Sequence, residues 1–210
     1  MKKTWIKSIS LSVACLLGFG VLTANLAVNN EQNNPIKVDA VTTTTATLTY
    51  SDVLAHARSD YKKTVWGDWE WWKVPKKDGE IYAGDNTYFV NSRAYTDGAT
   101  KIDLSISFKD GYVVPRMEMI AETLATNSNS FSWTIIDDYY NYDPPKSVYF
   151  EDTTSGERHP IESFTITYTF TKYTVSLNSN GGTGGLSSVL VPYNRAMPTI
   201  SSSNLPTREG

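Results

Sequence analysis

The run Ser163-Phe164-Thr165-Ile166-Thr167-Tyr168-Thr169-Phe170-Thr171 carries an apolar residue at every second position and a hydroxyl between. Successive side chains of a strand point to opposite faces, so this is the pattern of a β-strand with one face in a core and the other in water. At Lys172 the parity changes, because Tyr173, Val175 and Leu177 continue the apolar set on odd numbers. A shift of one residue sends side chains to the other face, and one strand cannot bury both sets against one core. The sequence therefore predicts a boundary between two domains at Thr171 to Tyr173.

Upstream the same texture recurs. Ile102, Leu104, Ile106 and Phe108 alternate with Asp103, Ser105 and Ser107, and Phe131, Trp133 and Ile135 alternate again. Met117, Met119 and Ala121 read as a further strand, as do Tyr112-Val113-Val114 before Pro115 and Val148 to Phe150 after Pro144-Pro145. Asp78-Gly79, Asp85-Asn86, Asp97-Gly98 and Asp110-Gly111 are turn signals between such runs. Strands spaced at about ten residues predict a mainly β chain, an antiparallel β-sandwich of roughly seven or eight strands over residues 50–172. One short helix is expected at its start, from about Asp52 to Lys62, with Ser51 as cap and Leu54, Ala57 and Tyr61 on one face. Residues 41–49, rich in threonine, read as an extended linker.

The first forty residues read as a signal peptide and pro-region. Lys2, Lys3 and Lys7 precede an apolar run from Ile9 to Leu22, too short for the roughly 20 residues of a membrane-spanning helix. Cleavage is expected before Val41, after Ala24, Ala27 or Ala40, leaving no stable membrane span. Cys15, the single cysteine, lies inside that run, so the mature chain has no disulfide. The 19 Lys and Arg against 22 Asp and Glu give a net charge of −3, and four of the lysines fall in the first forty residues. Basic residues cluster no further than the pairs Lys62-Lys63 and Lys76-Lys77, which argues against nucleic acid as a partner.

Four of the six tryptophans, Trp66, Trp69, Trp71 and Trp72, fall between positions 66 and 72. In a strand Trp69 and Trp71 share one face and Trp72 takes the other, which suits two readings. One is a core strand with large side chains. The other is a stacking platform for sugar rings, since an indole offers an apolar face and a polar edge. Tyr88, Tyr95, Tyr139, Tyr140 and Tyr142 are candidates to extend such a platform. Asp137, Asp138, Asn141 and Asp143 form a weak oxygen-ligand set for calcium, without the glycine and terminal glutamate of a helix-loop-helix calcium site. His56 and His159, the two histidines, have no metal-ligand spacing and are expected at the solvated surface. Asp68 and Glu70 are a conceivable acid pair beside the tryptophans, but no nucleophile elbow, zinc motif or phosphate loop is present. The expectation is a non-enzymatic protein without cofactor.

The C-terminal residues 173–210 resemble the Listeria-Bacteroides repeat, the internalin-type B repeat of bacterial surface proteins. The matching residues are Tyr173, Val175, Asn180, Gly181, Gly182, Val191, Tyr193, Pro206, Thr207, Arg208 and Gly210, with Leu177 in place of the usual Phe and Pro192 intruding before Tyr193. The resemblance implies a small β-grasp-like module, part of a tandem stalk, which in the family continues into a further aromatic strand; residues 173–210 are therefore expected to be a partial module.

These readings together predict a secreted or cell-wall-associated surface protein of Gram-positive type, extracellular, with an adhesion or stalk role and an unknown protein or glycan ligand. A carbohydrate-binding module built on the Trp-rich strand is the alternative. A secreted pore-forming protein, suggested by the hydroxyl-lined strand at Ser163 to Thr171, is a further one.

Overall fold

The computed structural model describes residues 38–60, 63–84, 86–119, 122–135, 147–151 and 157–207, apart from Asn194. The chain is mainly β with antiparallel sheets, as expected. It divides into two compact units, one of residues 43–171 and one to which, among the described residues, 38–42 and 172–207 belong.

In the larger unit two sheets face each other. The first runs β10 (Ser130–Thr134), β7 (Ala99–Phe108), β12 (Arg158–Ser176, of which residues 158–171 lie in this unit), β5 (Glu80–Gly84) and β4 (Lys76–Lys77), with β1 (Val38–Thr49, of which residues 43–49 lie in this unit) also paired to β12. The second runs β2 (Thr64–Trp66), β3 (Trp69–Trp72), β6 (Tyr88–Asn91), β11 (Ser147–Glu151), β8 (Arg116–Met119) and β9 (Glu122–Thr126). The alternation seen in the sequence sets what lies between them. Ile102, Leu104, Ile106 and Phe108 from β7 and Phe164, Ile166, Tyr168 and Phe170 from β12 are buried against Trp69, Trp71, Phe89, Met117 and Phe150 of the second sheet. Phe89 stacks on Phe164 at 4.4 Å, and Trp69 meets the edge of Tyr168 at 5.6 Å, so the aromatic pairs bridge the two sheets.

Several expectations are corrected. Residues 41–49 are not a linker, because they belong to strand β1, where Leu48 is fully buried and Thr47 Oγ1 meets Thr167 Oγ1 at 3.0 Å. A threonine run lacks apolar content, yet β-branched side chains favour a pleated surface, and pairing with β12 supplies the hydrogen bonds. The helix is shorter than expected and starts earlier, at α1 (Tyr50–His56), and its cap is Thr49 rather than Ser51. Thr49 Oγ1 accepts from the Asp52 backbone while the Asp52 carboxylate accepts from the Thr49 backbone N–H, a reciprocal box that Ser51 cannot close. Ala57 is extended, at ψ 144°, and ends the helix.

Tyr112, Val113 and Val114 are not a strand. Residues 111–114 are irregular, with Asn129 accepting from the Val114 N–H and donating to the Tyr112 carbonyl. The stretch after Pro115 is a hairpin of β8 and β9, with a register shift between Met117 and Glu118. A one-turn helix, α2 (Arg93–Thr96), had no sequence signal. Among the described residues twelve strands, not seven or eight, take part in the larger unit's two sheets, because several are only two to five residues long.

At Lys172 the strand does not stop. β12 runs to Ser176, and its residues Lys172 to Ser176 pair with β13 (Ser188–Pro192) in a regular register, Tyr173 opposite Val191 and Val175 opposite Val189. Phe170 is buried in the larger unit and Val175 in the smaller one. The strand thus continues across the point, between residues 171 and 172, where the two units divide.

Candidate functional site

β2 and β3 form a hairpin closed by Trp66 opposite Trp69, with Gly67 at φ +57° in the turn. Pleating then sorts the four tryptophans. Trp69 and Trp71 point into the core, at 5% and 0% exposure, and are not available to a ligand. That removes two of the four residues expected to stack on one. Trp72 takes the outer face of the second sheet, beside Tyr88 in the cross-strand register, with ring centroids 5.8 Å apart and planes 25° from parallel. Trp66, at the end of the edge strand, is 36% exposed and stacks on His56 of α1 at 4.6 Å. His56 is at the surface as expected, but its ring is committed to Trp66.

Glu70 shares the outer face with Trp72. Its carboxylate receives Lys63 Nζ at 2.5 Å, the Trp72 indole N–H at 3.0 Å and the Tyr88 hydroxyl at 3.4 Å. Partial burial pushes the Glu70 carboxyl up, and Lys63 with the two donated hydrogen bonds outweighs that and leaves it below the ordinary carboxylate range. The same burial, with the Glu70 charge and hydrogen bond, pushes the Tyr88 hydroxyl up to about 12. Trp72 and Tyr88 thus spend a ring face on each other and their polar atoms on Glu70. Asp68 is not paired with Glu70 as a catalytic couple would be; it sits in the hairpin turn, 3.8 Å from Arg93 Nη1.

A second cluster has no signature in the sequence. His159 is not a solvated residue: its side chain is 12% exposed, its ring lies parallel to Tyr112 with centroids 3.5 Å apart, and its Nδ1 is 2.7 Å from Asp110 Oδ2. Three residues of a β-turn and a strand distant in sequence make this group, so no local spacing announces it.

Tyr139, Tyr140, Tyr142 and the calcium candidates Asp137, Asp138, Asn141 and Asp143 lie outside the described residues, as do Arg208 and Gly210 of the repeat motif. Among the described residues no group of His, Cys, Asp or Glu is placed to hold a metal ion, and no helix is long and apolar enough to cross a membrane. In the smaller unit the motif residues fall on a hairpin. Tyr173 and Tyr193 approach to 6.3 Å, Asn180 and Gly181 both have positive φ in the turn that Gly182 closes onto Ser179, and Thr183 bridges Thr207. Gly182 leaves no room for a side chain, since a Cβ there would lie 2.9 Å from the Thr207 carbonyl oxygen.

Comparison with protein-family models, with curated proteins and with solved structures returns no match to this chain.

Proposed function

We propose that this is a secreted or cell-wall-associated bacterial surface protein, without enzymatic activity, in which the sandwich binds or spaces an extracellular ligand and residues 173–210 belong to a stalk module. The observation that carries the reading is the smaller unit's hairpin: Tyr173, Val175 and Val191, residues of the repeat resemblance, lie on paired strands around an Asn-Gly-Gly turn, and Tyr193 just after β13 approaches Tyr173. A signal-like N-terminus and a cysteine-free β-sandwich suit the same assignment. Fractionation of producing cells with an antibody to residues 50–171 tests it. The protein is expected in the wall fraction or the medium, and a purely cytosolic protein overturns the reading.

A second reading, carbohydrate binding, is favoured by Trp66, whose ring stands outside the core while Trp69 and Trp71 fill it.

A further inference from the structure

We propose that Trp66, with His56, Asp68 and Arg93, forms a subsite for one ring of a neutral, pyranose-type glycan, a proposal that rests on the carbohydrate-binding reading above. Trp66 ends β2, the last strand in the order of its sheet, and is 36% exposed. One side of the indole is backed by the His56 imidazole, at 4.6 Å and 25° from parallel. His56 is itself fixed, because its Nδ1 hydrogen donates to the Asp52 carbonyl at 2.8 Å. A ring held in this way loses little freedom when a ligand settles on it, which is how a small contact gains affinity. The turn beside it is open: a Cβ at Gly67 would meet nothing within 4 Å.

The polar half of the subsite comes from the next turn residue. Asp68 is 51% exposed in its side chain, and its backbone carbonyl accepts from Ser92 N–H at 2.8 Å, which ties the hairpin to the start of α2. Its carboxylate approaches Arg93 Nη1 only loosely, at 3.8 Å, whereas Arg93 is bound to Asp97 through Nε at 2.7 Å and Nη2 at 2.5 Å and lies 5.1 Å above the Phe170 ring. Asp68 therefore keeps acceptor capacity for hydroxyl donors, two residues along the same hairpin turn from Trp66. A sugar ring matches that pairing, with C–H groups on one face and hydroxyls around its rim. Two carboxylates face one guanidinium here, an excess of negative charge that disfavours uronic acids and phosphorylated sugars and selects neutral rings.

The test is an array of neutral oligosaccharides of the gluco-, manno-, galacto-, xylo- and N-acetylglucosamine series, followed by calorimetry of the hits on the purified chain. Trp66→Ala is expected to weaken a hit at least tenfold and Asp68→Asn several-fold, while Trp72→Ala on the outer face leaves it within twofold. A hit that survives Trp66→Ala in a protein with wild-type melting overturns the subsite and leaves the carbohydrate reading standing. Absence of any neutral hit overturns both, and leaves the surface-protein assignment untouched. If Trp66→Ala fails to fold, Trp66→Phe and Asp68→Asn keep the rim packed and read the same contrast; unchanged affinity in both overturns the subsite.

Discussion

His159 lies flat against Tyr112, with ring planes 3° apart and centroids separated by 3.5 Å, and Phe108 meets both at nearly a right angle. The contact fastens the turn after β7 to the first residues of β12, and Asp110 completes it through His159 Nδ1 and the Tyr112 backbone N–H. Partial burial pushes the Asp110 carboxyl up, but those two hydrogen bonds prevail and hold it below its ordinary value.

Acid should loosen this clasp. A carboxyl depressed in the folded chain stabilises it above the unfolded value, about pH 4, and that contribution disappears as pH falls through the folded value. Because the Asp110 side chain is 41% exposed, screening limits its worth to roughly 0.5–1 kcal/mol. Melting curves of Asp110→Asn are expected to lie below wild type at pH 7 and to close on it as the pH falls below about 4. His159→Ala should cost about 1 kcal/mol through the lost stack. Curves for Asp110→Asn that stay parallel to wild type across this range would show that the pair adds nothing.

Base should act on the outer face of the second sheet. The Tyr88 hydroxyl, pushed up to about 12, favours its neutral form in the folded chain. Its contribution is whole below the unfolded value near pH 10 and is lost as pH rises through about 12. A difference absorbance titration of wild type against Tyr88→Phe is expected to place the phenolate midpoint near that value, and Glu70→Gln to bring it down. A midpoint unmoved by Glu70→Gln would leave burial as its whole cause.

The capping box at α1 separates two neighbouring hydroxyls. Thr49→Ala removes the acceptor for the Asp52 N–H and should cost about 1 kcal/mol, whereas Ser51→Ala loses only an exposed contact with Thr49 Oγ1 and should cost a few tenths. Chemical denaturation of the two variants decides it, and equal losses would remove Thr49 from the cap.

The contrast between Thr49 and Ser51 shows where the sequence is legible. Periodicity over ten residues reports a face, so the buried set of β7 and β12 could be read directly, as could the opposite placing of Trp72 and Trp71. A cap depends on one φ/ψ pair at a boundary, and either hydroxyl fits the pattern. Residues 41–49 are hard to read for a related reason: the threonines carry no apolar pattern of their own, and only the pairing with β12, more than a hundred residues away, makes them a strand. The exposed state of Trp66 was equally hidden. It shares the parity of Thr64, which is buried, and only its place at the end of an edge strand brings it to the surface. His159 and Tyr112 illustrate the same limit for sites assembled across the fold.

Trp71 offers the sharpest test of the core reading of the Trp-rich strand. It is fully buried, and its indole N–H has no acceptor among the described residues, so it combines a large packing gain with a polar group that has lost its water. Trp71→Ala leaves a cavity between the sheets and is expected to cost about 3–5 kcal/mol. Trp71→Phe also gives up volume, but it removes the unpaired donor, whose burial costs about 1–3 kcal/mol, so the two effects oppose each other. Its loss should therefore be less than half that of Trp71→Ala, and Trp66→Ala at the rim, which gives up a partly exposed ring and its stack on His56, should cost less than Trp71→Ala. Urea denaturation of the three variants gives the order. If Trp71→Phe were as damaging as Trp71→Ala, the indole N–H would have a partner after all. If Trp66→Ala were the most damaging of the three, the division between core and rim tryptophans would be wrong.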